Sequence, residues 1–167
     1  MVKRGSAKLL DKESAVNGMN NSSIETLLDS MALMESINFS YEYPCVWTKS
    51  GTDVSYGSRE FSASEMSLAD IPYGYSLGSR EVAKIQSEVI EERATNVFER
   101  PHTHEFPIDG EQAQAILYAV NNLENAKTVI TVHNDKIFTF TCTAMKDAFD
   151  ADADLMDIIF SSIKFAD

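Results

Sequence analysis

With 167 residues, 44% of them hydrophobic and 10% aromatic, the chain can bury one core and is too apolar for global disorder. Its 26 acidic residues against 14 basic ones give a net charge of −12, which disfavours phosphate backbones and anionic lipid as partners. No apolar run approaches the roughly 20 residues that cross a bilayer, so a membrane-spanning segment is not expected.

Met1 to Asn21 is polar, carries Lys3, Arg4 and Lys8, and lacks the apolar stretch of a signal peptide. Residues 1–21 read as a flexible tail and 22–167 as a single domain. The compartment stays open between the cytoplasm and an extracytoplasmic site reached by a cleaved leader. Ser22 stands three residues before Glu25, a capping-box spacing, and Ile24, Leu27, Leu28, Met31 and Met34 follow at helical intervals. The expectation is an amphipathic helix over Ser23 to Ser36.

The period then changes. Phe39, Tyr41 and Tyr43 alternate with Ser40 and Glu42, as in a strand with one wet face, and Pro44 closes it. Trp47, the only tryptophan, is expected to be a core anchor. Short strands are expected at Val54 to Tyr56 and Glu60 to Ser64. Leu68 to Gly78, with Pro72, Gly74 and Gly78, reads as a loop. Ser79 to Phe98 recovers the helical period, with Val82, Ile85, Val89, Ile90 and Val97 on one side and Glu81, Lys84, Glu88, Glu91 and Glu92 opposite.

The second half reads as sheet. His104 to Ile108 meets an Asp109-Gly110 turn, and Gln112 to Val120 follows it as a strand apolar on both faces. Lys127 to His133 and Ile137 to Thr143 flank Asn134-Asp135, which predicts a tight hairpin. Leu155, Ile158 and Ile159 mark a last helix, and Ile163 and Phe165 a short edge strand. The two cysteines, Cys45 and Cys142, fit no zinc or redox spacing, and their pairing is left open.

The order of these pieces resembles the PsbP-like family. The residues that carry the likeness are the Phe39-Ser-Tyr-Glu-Tyr-Pro44 strand with Trp47 behind it and the Ile108-Asp109-Gly110 turn into a strand ending Leu117-Tyr118. The hairpin from Val129 to Thr143 and the ending Ile159-Phe160-Ser161-Ser162-Ile163-Lys164-Phe165 belong to it as well. The resemblance implies an α+β fold, an antiparallel β-sheet flanked by helices in a Mog/PsbP-like sandwich. It also implies an extrinsic, assembly or envelope protein without a shared catalytic motif, so no active-site residue carries over. The helix expected over residues 23–36 stands outside that pattern.

Several constellations could carry chemistry. Gly74-Tyr75-Ser76-Leu77-Gly78 fits the G-x-S-x-G elbow of serine hydrolases, with Asp109 and His133 downstream in the matching order. The preceding residues do not read as a buried strand, and an ordinary glycine loop is the better reading of the motif. Asp150, Asp152 and Asp154 imitate the start of a calcium loop, but Leu155 and Ser161 occupy its glycine and glutamate positions. An acidic helix start is the better reading. His102 and His104 share a strand face and could hold a divalent ion with Glu105 or His133. Tyr73 and Tyr75 could form a partner-recognition tip. The function expected is a non-catalytic, PsbP-like binding or accessory domain that docks a protein partner and needs no cofactor. The alternatives are a small serine hydrolase using Ser76 and a metal- or ligand-binding envelope protein using His102 and His104.

Overall fold

The computed structural model describes residues 30–71, 77–93 and 102–166. The tail, the opening of the helix expected from Ser23, and Tyr73, Tyr75 and Ser76 lie outside them. In chain order the strands are β1 (Met31–Glu35), β2 (Phe39–Pro44), β3 (Thr48–Ser50), β4 (Asp53–Tyr56) and β5 (Arg59–Ser67). Helix α1 (Ser79–Arg93) precedes β6 (His102–Glu105), β7 (Ala113–Ala119), β8 (Glu124–His133) and β9 (Lys136–Met145). Helices α2 (Lys146–Ala151) and α3 (Ala153–Ser161) lead into β10 (Lys164–Phe165).

Alternation builds a seven-stranded antiparallel sheet in the order β3-β4-β5-β9-β8-β7-β6 and a three-stranded one in the order β1-β2-β10. The expected α+β architecture is the one observed. The hairpin between β8 and β9 turns on Asn134 and Asp135, with φ of 49° and 61°. Both signs match the twist of the flanking strands, as tight two-residue hairpins require. Asp109 and Gly110 repeat the device, with φ of 50° and 78°.

Met31–Glu35 is a strand, not the end of a helix, and pairs along its length with β2. The Met31 and Met34 spacing suits a helix, but the antiparallel ladder to β2 on one edge takes the segment as a strand, and only Met34 is fully buried. Trp47 is buried as expected, at 4% exposure, in the turn after β2. The cysteines are unpaired: Cys45 is exposed, and Cys142 is enclosed in the core.

One face of the large sheet carries the main core. Phe61 from β5 and Phe138, Phe140 and Cys142 from β9 meet Phe39 and Tyr41 of β2 and Phe160 of α3. The rings sit edge-on or offset, Phe39 against Phe140 at 5.3 Å and Tyr41 against Phe61 at 4.6 Å. Such pairs add about 0.5–1.5 kcal/mol each beyond their buried area. Burial, with Asp53 nearby, raises the Tyr41 hydroxyl above its ordinary range, and that hydroxyl donates to the Thr52 carbonyl at 2.6 Å.

Asp152 and Asp154 stand at an acidic helix start, as expected, Asp152 as the residue before the first turn of α3 and Asp154 within that turn, but Asp152 is buried. It sits between α2 and α3 at 1% exposure and forms an ion pair with Arg59 of β5, itself 5% exposed. The Arg59 guanidinium also lies over the Tyr56 ring. This buried pair ties the helical layer to the sheet.

Candidate functional site

The opposite face of the large sheet is built differently. Helix α1 packs on β7 and β8, where Ala83, Ile116 and Ile130 form a small second core with Leu68 and Ile137. Over β9 and β5 the same face shows Ser62, Ser64, Thr139, Thr141 and Thr143, all half-exposed or exposed. A hydroxyl ladder crosses from the covered half, with the Tyr118 hydroxyl 3.0 Å from Thr128 Oγ1 and that atom 2.9 Å from Thr141 Oγ1.

Where helix and bare strands part, a cleft of about 380 Å³ opens. Its walls are Val82, Ile85 and Gln86 of α1, Ile130 of β8, and Ile137 and Thr139 of β9. Ser64 and Met66 of β5 continue the lining, and Ile71 and Leu77 close one end. The helix is amphipathic, but its apolar stripe is wider than its footprint on the sheet. Ile85 therefore stays 51% exposed, with Met66 facing it across the cleft at the same value. An apolar concavity of this size with a few polar groups is the usual form of a binding site.

The sequence reading placed Ile85 with the buried stripe and did not single out Met66. Neither residue carries a motif, and the cleft exists only because α1 covers part of the sheet. Tyr73 and Tyr75 lie outside the described residues, in the segment whose flanks, Ile71 and Leu77, line the cleft.

His102 and His104 project from edge strand β6, opposite Leu117 and Ala115, on the main-core side of the sheet. Both are exposed. Burial, and then the Lys127 ammonium, hold His104 below its ordinary value. Among the described residues no three His, Cys, Asp or Glu side chains converge in a metal-holding group. Lys127 is occupied: its ammonium bonds Asp157 at 2.7 Å and lies 4.1 Å from the Phe106 ring centre. His133 bonds Glu111 at 2.7 Å and stacks on Phe165 at 4.6 Å. All three imidazoles thus lie on the main-core side, away from the cleft.

No family model and no curated protein matches the chain. Among solved structures, cyanobacterial PsbP (CyanoP) of Synechocystis sp. PCC 6803 superposes with a TM-score of 0.58 at 13% identity. The match covers 81% of this chain and 92% of that one. The chain therefore has a PsbP-like fold. LpqN of Mycobacterium tuberculosis, involved in cell envelope biogenesis, superposes at 0.46 with 11% identity, over 90% of this chain and all of its own. A Pseudomonas aeruginosa protein of unknown function reaches 0.42 with 14% identity, over 75% and 90%. Both fit too loosely to add to the fold assignment.

Proposed function

We propose that this PsbP-like domain is a non-catalytic binding module that docks a protein partner in the cleft between α1 and the bare strands β9 and β5. The observation that carries the reading is the pair Met66 and Ile85, each 51% exposed on facing walls of one apolar concavity. Scattered surface hydrophobics are ordinary; two that line the same cleft mark a contact site. Tyr73 and Tyr75, which lie outside the described residues, join this reading as proposed partner contacts.

No helix among the described residues is long and apolar enough to cross a membrane.

A photoreactive benzoylphenylalanine at position 85, irradiated in the cells that make the protein, tests the reading. The expected result is a discrete adduct at position 85 and none from the same group at Lys49, which is exposed on edge strand β3. Equal labelling at both positions, or none at 85, would overturn it.

A further inference from the structure

We infer that the segment docking in this cleft is cationic and amphipathic: an apolar anchor flanked by lysine or arginine. The inference rests on the binding reading above and specifies its partner. Glu81, Glu88 and Glu92 stand four residues before, three after and seven after Ile85, which places them beside the exposed isoleucine on α1, whereas the sequence pattern sets them opposite it. All three are exposed. Glu81 is steadied there by the Gly78 N–H, which it accepts at 3.2 Å.

Across the gap, Glu60 extends the bare sheet face beyond Ser62, paired with Thr143, and Asp70 adjoins Ile71 at the closed end. The cations of this helix side are Lys84, beside Ile85, and Arg93 in the last turn; Arg80 is held by Glu105 on the far side. The described charges that flank the cleft's lining residues on α1 and after β5 are therefore mainly acidic, on a chain of net charge −12. At 1.5 Å per residue the carboxylate stripe runs about 16 Å, a length matched by roughly three helical turns of a partner. Complementary charge of this kind speeds encounter and fixes register, and the apolar anchor supplies the burial.

The test uses the full chain and three synthetic peptides of about three helical turns: Leu/Lys amphipathic, Leu/Glu amphipathic, and Ser/Lys without an apolar face. Fluorescence anisotropy reads their affinities, and circular dichroism confirms that each variant is folded. The Leu/Lys peptide is expected to bind at least about tenfold more tightly than either of the others, with affinity falling as salt rises. Glu81→Lys with Glu92→Lys should weaken it about tenfold. Asp147→Lys with Asp154→Lys, on the α2–α3 side, should change it less than about twofold.

Equal losses from the two charge reversals would show diffuse attraction to an acidic protein and overturn the inference. Equal binding of the Leu/Glu peptide removes the cationic partner while leaving the docking cleft standing. Equal binding of the Ser/Lys peptide removes the anchor. A self-association that Ile85→Ser abolishes would make a second copy of the chain the occupant, which also overturns the inference. Failure of the docking reading itself appears elsewhere, as absence of the adduct at position 85.

Discussion

The two faces of the large sheet are made from the same strands, yet they have opposite characters. On one, Phe61, Phe138 and Phe140 interlock with β2 and α3, and the Arg59–Asp152 pair is sealed beneath them. On the other, the same strands offer Ser62, Thr139 and Thr141 to a face that α1 covers over β7 and β8. One face is where folding energy is concentrated. The other leaves apolar surface available for a partner. The lesson is that period-2 alternation decides which residues share a face, while the reach of one helix decides how much of that face is left open.

Substitutions can break this contrast in order of size. Phe61→Ala should cost about 3–5 kcal/mol in urea denaturation, the usual loss for a buried aromatic, whereas Thr141→Ala on the other face should cost under about 1 kcal/mol. Similar losses at both positions would erase the distinction. Asp152→Ala should cost about 3–5 kcal/mol, because it removes a carboxylate partner from a buried guanidinium. Arg59→Met with Asp152→Leu should recover most of that loss if the pair, rather than each charge alone, is what the core accommodates.

Ile85→Ser should shift stability by no more than about 0.5 kcal/mol, as for exposed positions generally, while removing the position-85 contact. A large destabilisation would mean that Ile85 belongs to the core. The smallest effect is chemical. Burial raises the Cys142 thiol well above its ordinary range, with Asp152 adding to it. A thiol reagent should therefore titrate Cys45 promptly in the native protein and Cys142 only in denaturant.

Much of the fold was readable from local pattern. Phe39 to Tyr43 and Ile137 to Thr143 declared their strands by alternation, and Asn134-Asp135 and Asp109-Gly110 declared their turns by residues that tolerate positive φ. β1 misled because its methionines keep a helical spacing, and the ladder to β2 that overrides it is a tertiary fact. β3 escaped notice because all three of its residues are exposed and give no alternation. The Arg59–Asp152 pair spans 93 residues, and nothing near either residue points to the other. The cleft was illegible for the same reason: Met66 and Ile85 are ordinary residues until a helix is laid part of the way across a sheet.

The small sheet bears on how the protein is made. Strand β2 is completed only when β10 pairs with it, Phe165 opposite Phe39, and that strand is pinned in turn by the Asp109 carboxylate, which accepts the Phe165 N–H at 2.9 Å. The Glu42 N–H and the Ser162 hydroxyl that receives it stand 120 residues apart. At typical elongation rates the ribosome needs on the order of ten seconds to cover that distance. Throughout that interval β2 has only β1 to pair with, and its other edge, which receives β10 at Phe39 and Ser40, stays open. The part of the core that joins Phe39, Tyr41 and Tyr43 to Phe160 and Phe165 thus closes only after every strand of the large sheet has been made.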